Sequence, residues 1–368
     1  MKKKNLCKTL LKTMCIVLGI LILALLAYIV YLYASYYRIE DNQELVVEAP
    51  VDDTTTGAAA VLATGTEYSA VTYNIGFGAY LPDYSFFMDG GTSSWAESPE
   101  TVQYAINGAG ELVKSLDPDF ALIQEIDLDA TRSYHTDEYE MLRNILPEYT
   151  TVFAQNYDSA FLFYPFTQPH GSSRAGLGLF SKYPVSSALR RSFPISTSFS
   201  KFFDLDRCYS VSRIPVDNGK ELVIFNLHMS AYGNSDEIRK GQIEMLCNDM
   251  AKEYEAGNYV LCGGDFNHDL KASEEDTESC ESWAFPFPRT ELPEHFAFCL
   301  DLLSSEEQAA LWNSARNADM EYVPGVTYTV TLDGFIISDN IECLSYENVN
   351  TGYSYSDHDP VKVEFVLK

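Results

Sequence analysis

Positively charged residues are scarce in this sequence of 368 residues, which has 25 lysines and arginines against 53 aspartates and glutamates. The formal net charge of -28 gives a long-range field that repels polyanions. Tight, nonspecific binding of nucleic acid is therefore not expected. A nuclease is not excluded, because a bound cation changes the field around a site.

The eight cysteines also lack the close spacing that is typical of a metal site. Cys7 and Cys15 lie before or within an apolar N-terminal segment, and Cys262 lies in an apolar run that predicts a buried thiol. Cys280 and Cys299 are candidates for a disulfide, which the sequence leaves open.

Internal repeats are absent, and the piece Gly176-Leu-Gly178 is too short to be a nucleotide-binding fingerprint. The hydrophobic fraction of 46% is large enough for a packed core, so the chain is globular rather than disordered.

The first 37 residues have the pattern of a membrane anchor. Five lysines within residues 1–13 precede a stretch from residue 13 to residue 37 without one charged side chain, and tyrosines crowd its far end. We expect a basic cytoplasmic tail at 1–13 and a single transmembrane helix at 14–37, with the rest of the chain outside the cell membrane. A cleaved signal peptide is the alternative, and it also implies export.

Residues 38–65 are acidic and then rich in Thr, Ala and Gly, which predicts a linker. From 66 to 368, strand-like runs alternate with two amphipathic helices at 99–116 and 236–255. This pattern indicates an α/β fold, with two packed sheets flanked by helices. The predicted strands are 70–74, 120–126, 150–154, 176–181, 209–216, 221–227, 259–263, 334–338 and 361–366.

Polar residues stand at the ends of these runs, where a strand holds a side chain rigidly at the rim of a sheet. Turn chemistry is a sufficient explanation for each of them alone, but their number favours a common site. They are Asn74, Glu125, His228, Asp265, Asn267, Asp333, Asp357 and His358.

Hard cations such as Mg²⁺ prefer carboxylate and amide oxygens, which Asn74, Glu125 and Asp357 would supply. A phosphodiester needs charge neutralised on its nonbridging oxygens and a positioned water molecule. One metal ion together with His228, His358 and Asn267 would meet both needs.

The same residues form an ordered set of motifs: Tyr-Asn74, Gln-Glu125, Asn-Leu-His228, Gly-Asp265-Phe-Asn267, Leu-Asp333 and Ser-Asp357-His358-Asp-Pro. This set resembles the signature of the endonuclease/exonuclease/phosphatase superfamily over nearly the whole chain after residue 65. Its members include deoxyribonucleases, abasic-site endonucleases, neutral sphingomyelinases and inositol-polyphosphate phosphatases. The resemblance implies a four-layer α/β sandwich that cleaves phosphate esters with Mg²⁺.

For the metal, the resemblance implies that Glu125 is the main carboxylate ligand, with Asn74 and Asp357 near the metal or the phosphate. Mg²⁺ is the expected ion, with Mn²⁺ or Ca²⁺ as alternatives.

For catalysis, the resemblance implies that Asp265 orients or deprotonates the attacking water and that Asn267 holds this water or the phosphate. His358, paired with Asp333, would act on the phosphoryl oxygen or as an acid or base. His228 would contact the phosphate. An Asp behind a His is physically suited to this role, because it fixes the tautomer and favours the charged imidazole.

Two further residues, His170 and Arg174, are candidate substrate-binding residues, because they lie in a loop that often faces substrate in related enzymes. Arg174 and Arg207 are rare cations here and are candidates for a second phosphate, with a surface ion pair as the simpler role. His135, His268 and His295 are expected to be solvated or structural.

The aromatic segment from Tyr80 to Gly91 follows Asn74 directly, where a solvated loop would be expected. It would either line a substrate pocket or form a packed loop, and the sequence does not decide between these roles.

The sequence thus predicts a membrane-anchored, monomeric phosphoesterase that acts on a phosphodiester or phosphomonoester outside the cytoplasm. The acidic balance and the anchor favour a phosphorylated small molecule or a lipid headgroup over nucleic acid. The alternatives are a nuclease for extracellular DNA or RNA and a noncatalytic binding module on the same fold. Retention of Glu125, Asp265 and His358 argues against the binding module.

Overall fold

The computed structural model describes residues 2–52, 61–202, 204–231, 236–273 and 283–368. Its contacts divide the chain into two units, Met1–Arg38 and Ile39–Lys368. The first unit contains the helix α1 (Lys2–Ser35). An 18-residue window within Leu6–Ser35 of this helix has a mean hydropathy of 2.9, so the helix is long and apolar enough to cross a membrane or to serve as a signal sequence.

The second unit contains two seven-stranded sheets. In spatial order, the first sheet consists of β1 (Gln43–Glu44), β7 (Ser187–Ser192), β8 (Cys208–Pro215), β9 (Glu221–His228), β10 (Tyr259–Asp265), β14 (Asp333–Ser338) and β11 (Phe296–Phe298). The second sheet consists of β15 (Ile341–Asn348), β16 (Val361–Leu367), β3 (Glu67–Asn74), β4 (Phe120–Ala130), β6 (Ser173–Ser181), β5 (Thr150–Asp158) and β2 (Val47–Glu48). A separate pair joins β12 (Ala315–Arg316) to β13 (Thr329–Val330).

Helices cover the outer faces of both sheets. The helices α2 (Pro99–Leu116) and α3 (Glu138–Ile145) pack on the second sheet, α4 (Asp236–Glu255) packs on the first, and the short α5 (Ser305–Ala310) carries a capping box. Ser98 caps α2 by accepting a hydrogen bond from Thr101 N, with Pro99 at the first helical position, as the sequence predicts. The predicted four-layer α/β sandwich is therefore confirmed.

The alternation of side chains along the strands builds two apolar layers. Phe120 and Leu122 of β4 point into the core between the sheets, whereas Ala121 and Ile123 point outward against α2 and α3. Cys262 is fully buried, as predicted, and Cys247 of α4 lies close to it.

One polar connection crosses this core. Gln124 Nε2 donates to Asn226 Oδ1 at 2.8 Å and to Thr72 Oγ1 at 3.1 Å, and Asn226 Nδ2 donates to the carbonyl of Gly178 at 3.0 Å. All three side chains are fully buried. Because buried amides are costly unless they are paired, this network fixes how the second sheet sits on the first.

Part of the predicted linker at 38–65 belongs to the second unit, in the range that the structure describes at 39–52. Two short strands form there: β1 pairs with β7 at the edge of the first sheet, and β2 pairs with β5 at the edge of the second. Each strand has only two residues, which is too short for any period to be visible in the sequence. The second unit accordingly begins at Ile39 rather than at residue 66.

The glycine pair before Asp265 is required by close packing. A Cβ on Gly264, which has φ +146°, would lie 2.1 Å from the carbonyl oxygen of Leu227. We predict that Gly264→Ala lowers the free energy of unfolding by more than about 2 kcal/mol, because the backbone of β9 must move. Gly219→Ala is the matched control, because its φ is +78° but no atom lies within 4 Å of its Cβ, and it should cost only about 1 kcal/mol.

Chemical denaturation of the two variants beside the parent protein tests this. Equal losses for the two glycines would contradict the packing argument.

Candidate active site

Three strands of the first sheet bring polar side chains to one edge. His228 ends β9 and Asp265 ends β10, and the parallel register places these two residues side by side. β14 runs antiparallel to β10, so its first residue, Asp333, lies opposite Asp265. The register alone therefore assembles three of the predicted residues.

The second sheet presents its own polar residues at the same end of the sandwich. Asn74 ends β3, and Glu125 lies at an irregularity in β4 with a positive φ of 56°. A positive φ is unusual for a residue other than glycine and is typical of functional sites. Asp357 and His358 precede β16, which pairs with β3, and Ser356 Oγ donates to the carbonyl of Asn74 at 2.8 Å.

The carboxylate of Asp265 lies at the centre of these groups. Its Oδ1 accepts from Asn267 N at 2.8 Å, and its Oδ2 accepts from Asn74 Nδ2 at 3.1 Å. His228 Nε2 and His358 Nε2 lie 3.5 Å and 3.8 Å from the same Oδ2. Burial raises the pKa of Asp265 to about 7, with a further contribution from Asp333. A carboxylate with this pKa is suited to exchange a proton with water near neutral pH.

His358 is held by a buried acid. Its Nδ1 lies 2.7 Å from Asp333 Oδ2, which also accepts from Ser314 Oγ at 2.7 Å. Burial alone would lower the pKa of His358, but the carboxylates of Asp333, Asp265 and Asp357 outweigh it and raise this pKa well above its usual value. The imidazole therefore carries a positive charge beside the Asp265 carboxylate.

His228 has the opposite character. Burial lowers its pKa well below the usual value, with smaller contributions from Arg207, His358 and Arg132. Its Nδ1 is buried and finds no hydrogen-bond partner in the part of the chain that the structure describes. The site thus combines a charged and a neutral imidazole on two sides of one carboxylate.

These residues lie in a cleft of about 550 Å³. The predicted residues Glu125, His170, His228, Asp265, Asn267, Asp357 and His358 line it, whereas Asn74 and Asp333 lie behind the lining and orient it. The structure therefore brings together the catalytic and metal residues that the sequence predicts.

Glu125 and Asp357 are the lining carboxylates that fit a divalent cation. Burial raises the pKa of Asp357, and the nearby charge of Glu125 raises it further. Asp89, from the loop after β3, also lines the cleft; burial raises its pKa to about 7, helped by Asp357 and Glu125. Carboxylates that oppose each other's ionisation in this way fit a hard cation, which would relieve the repulsion.

Asn74 is oriented differently from a simple metal ligand. Its Oδ1 accepts from Gly76 N at 3.0 Å, and its Nδ2 donates to Glu125 Oε1 at 3.2 Å. In this orientation the amide positions the Glu125 carboxylate, and its role as a ligand stays a prediction. A separate buried group, Asp265, Asp333 and His358, has ligand atoms within 4.8 Å of one another. In this group, His358 Nδ1 and Asp333 Oδ2 already lie 2.7 Å apart.

Three arginines supply positive charge to the cleft, and sequence reasoning found only one of them, Arg207. Arg132 forms a buried pair with Asp127 at 2.8 Å and stacks 3.7 Å above the Phe77 ring. Arg316 donates to backbone carbonyls, among them that of Leu81 at 2.9 Å. Arg132 lies in a single 3-10 turn and Arg316 in a two-residue strand, and both elements are too short to show a period in the sequence.

His170 and Arg174, the two predicted substrate-binding residues, have different positions. His170 is buried and lines the cleft. Arg174 does not line the cleft: its side chain is 52% exposed and pairs with Asp129 at 3.1 Å, and its role in substrate binding stays a prediction. Arg174 lies directly opposite Asp129 in the β4–β6 ladder, so the cross-strand ion pair explains its outward direction.

The aromatic segment after Asn74 both packs and lines the cleft. Tyr80 and Phe86 are buried and line it, and their rings lie 5.7 Å apart. The three remaining histidines lie outside the lining, as expected: His135 and His295 pair with surface carboxylates and His268 contacts a backbone carbonyl. Cys299 is buried, and Cys280 lies outside the described residues, so their disulfide stays a prediction.

The buried, neutral state of His170 has a consequence for acid stability. Burial lowers its pKa to about 3, with Arg132 adding to the effect. Below pH 6.5 the unfolded chain binds a proton here that the folded chain does not, so the free energy of unfolding falls as the pH falls from about 6.5 towards 3. We predict that His170→Phe reduces this dependence by up to about 1.4 kcal/mol per pH unit.

Urea denaturation between pH 7 and pH 4 measures this slope, with exposed His135→Phe as the control variant. An unchanged slope in His170→Phe would show that His170 titrates normally in the folded protein.

Comparison with known proteins agrees with this geometry. The sequence pattern of the Endonuclease/Exonuclease/phosphatase family matches residues 71–302, which is more than half of the chain. No curated protein matches the sequence.

Similar solved structures cover 82% of this chain. They include an endonuclease/exonuclease/phosphatase from Bacteroides vulgatus (17% identity, TM-score 0.53, 100% of that chain covered) and D. rerio TDP2 with a single-strand DNA product (13%, 0.53, 99%). A third is ANGEL2, a 2',3'-cyclic phosphatase, with adenosine-2',3'-vanadate (12%, 0.56, 96%). At these identities the likeness shows the fold, and the family pattern supplies the assignment. The chain therefore belongs to the Endonuclease/Exonuclease/phosphatase family of phosphate-ester hydrolases.

Proposed function

We propose that this protein is a divalent-metal-dependent phosphoesterase that hydrolyses a phosphodiester or phosphomonoester outside the cytoplasm. The expected ion is Mg²⁺, with Mn²⁺ or Ca²⁺ as alternatives. A phosphorylated small molecule or a lipid headgroup is the preferred substrate class, because the net charge of -28 disfavours long polyanions. We further propose a monomer held at the cell membrane by α1.

The observation that carries this proposal is the grouping around Asp265 of one charged imidazole, one neutral imidazole and two amides. Hydrolysis of a phosphate ester requires a base for the attacking water and positive charge near the phosphoryl oxygens. Asp265 supplies the base and His358 the positive charge, and His358 Nε2 lies 3.8 Å from Asp265 Oδ2.

In the proposed reaction, Asp265 accepts a proton from water while the water oxygen bonds to phosphorus and the bond to the leaving oxygen breaks. The backbone N–H of Asn267 fixes the Asp265 carboxylate, and the charged His358 stabilises negative charge on the phosphoryl oxygens. The neutral His228 donates a hydrogen bond to the phosphate. Asp333 acts through His358, whose ring it holds and whose charge it maintains.

A divalent cation held by Glu125 and Asp357 would neutralise charge on the nonbridging and leaving oxygens. Both side chains line the cleft, and Asn74 Nδ2 holds Glu125 in place. Asp89, on the same cleft, is a candidate for a water-mediated contact to that cation.

Hydrolysis is tested with the full-length protein in detergent and a substrate panel of bis-(p-nitrophenyl) phosphate, plasmid DNA, sphingomyelin and inositol phosphates. We expect turnover with Mg²⁺ that disappears in chelator. His358→Gln should lower kcat/KM by about a hundredfold or more, because the positive charge is lost.

The matched control is His295→Gln, because His295 is also joined through Nδ1 to a carboxylate at 2.7 Å, but on the surface away from the cleft. A folded protein that leaves every substrate intact across several metals would favour the binding module over the enzyme.

Metal binding is tested separately from activity. Mg²⁺ at ten times its Kd should raise the free energy of unfolding by about 1.4 kcal/mol, which corresponds to about 2 °C in Tm. Glu125→Gln should abolish this gain. Glu111→Gln, at an exposed position of α2, should keep it. Stabilisation that survives in Glu125→Gln would place the metal elsewhere.

A further inference from the structure

The loop between β5 and β6 exposes an unusual set of rings. This aromatic loop, Phe161–Phe166, has the sequence Phe-Leu-Phe-Tyr-Pro-Phe, and Phe163, Tyr164 and Phe166 are 51%, 60% and 85% exposed. Consecutive large apolar side chains at such exposure are costly in water and mark an interaction surface. A partner is therefore expected to bury the rings of the aromatic loop.

The aromatic loop lies at the mouth of the cleft. Leu162 and Gly171 exchange two backbone hydrogen bonds of 3.0 Å, and His170 N donates to the carbonyl of Tyr164 at 3.2 Å. The Tyr164 ring lies 5.9 Å from that of Phe87, which in turn lies 6.1 Å from His170. Because His170 lines the cleft, the exposed rings border its opening.

The point at which the N-terminal segment joins the domain also lies at this cleft. Ile39 N donates to Asp206 Oδ2 at 2.7 Å, and its carbonyl accepts from Ser192 Oγ at 3.1 Å. Asp206 stands between Leu205 and Arg207, both of which line the cleft. The chain therefore enters the domain next to a segment that lines the cleft.

Chain length limits how far this point can lie from the end of α1. The helical part of the uncharged stretch, residues 13–35, is about 35 Å long, close to the hydrocarbon thickness of about 30 Å. Three residues separate Ser35 from Ile39, and the four steps between these two positions span at most about 14 Å. If α1 crosses a membrane, Ile39 lies near the bilayer surface.

We propose that the aromatic loop inserts into the outer surface of the bilayer that α1 crosses, and that the cleft opens towards lipid. The substrate class that fits is a phosphoester headgroup presented by that bilayer; this last statement rests on the proposed function, whereas loop insertion does not.

Tyrosine and phenylalanine at the tip fit the interface of a bilayer, where rings with an apolar body are favoured. The net charge of -28 rules out attraction to anionic lipid as the driving force. Insertion should therefore occur in zwitterionic phosphatidylcholine and should not strengthen when anionic lipid is added.

Fluorescence quenching tests insertion without reference to activity. The full-length chain is reconstituted into phosphatidylcholine vesicles with brominated acyl chains, as the parent, Phe166→Trp and Leu344→Trp. Leu344 is 46% exposed on β15, at the opposite edge of the second sheet from β5. After subtraction of the parent, which has three tryptophans, bromine should quench the new emission of Phe166→Trp at least about twofold more than that of Leu344→Trp.

Equal quenching at the two positions would overturn the proposal. If it were accompanied by a blue-shifted Phe166→Trp emission that disappears on dilution of the protein, the aromatic loop would instead bind a second copy of the chain.

Activity then tests the substrate class. Phe166→Ser should lower the initial rate on phospholipid in vesicles by about tenfold and leave the rate on soluble bis-(p-nitrophenyl) phosphate unchanged, because Phe166 lies outside the cleft. Equal rates of parent and variant on vesicles would overturn the lipid assignment. Absence of turnover of the soluble ester by the parent would instead overturn the proposed function, while the quenching result would still decide insertion.

Discussion

The buried hydrogen bond between Gln124 and Asn226 is the constraint on which the active site depends, because it joins the two sheets inside their common core. Gln124 is the residue before Glu125, and Asn226 lies two residues before His228 on β9. A shift of one sheet on the other would separate Glu125 from His228, whose side chains lie 3.9 Å apart. The alignment of the sandwich and the geometry of the site are thus set within the same few residues.

Three arginines lie among five carboxylates along the cleft, so its lining is less acidic than the protein as a whole. The chain has twice as many acids as bases, yet Arg132, Arg207 and Arg316 all line the cleft. Burial raises the pKa of Asp265. Burial alone would lower the pKa of His358, but the Asp333 carboxylate outweighs this effect and keeps the imidazole charged. A carboxylate that can accept a proton and a positively charged imidazole therefore lie 3.8 Å apart, and each has a pKa that it would not have in water.

The sequence predicts this site well because its residues end strands. Asn74, His228 and Asp265 close apolar runs whose period is visible, and the boundaries of α2 and α4 follow from a capping serine and a terminal glycine. The helices form where expected, and every predicted strand is present within a few residues of its expected bounds.

Other cleft residues and the two edge strands leave no recognisable pattern in the local sequence. Arg132, Arg316 and Asp89 reach the cleft from elements of two or three residues, whose position depends on long-range packing rather than on periodicity. Arg174 was predicted from its loop, but the β4–β6 register places it opposite Asp129, which the sequence does not reveal. The edge strands β1 and β2 are decided by the partners they meet, β7 and β5, and not by their own two residues.

The edge strands β1 and β2 hold the segment after residue 38 against both sheets of the domain. A flexible linker would allow the domain to adopt any orientation at a membrane. Here β1 is paired to the first sheet and β2 to the second within six residues, and the Ile39 amide is bound to Asp206 beside the cleft. Any restraint imposed through Arg38 is therefore transmitted to both sheets at once. The position of Ile39 against both sheets is thus set by the fold of the domain itself.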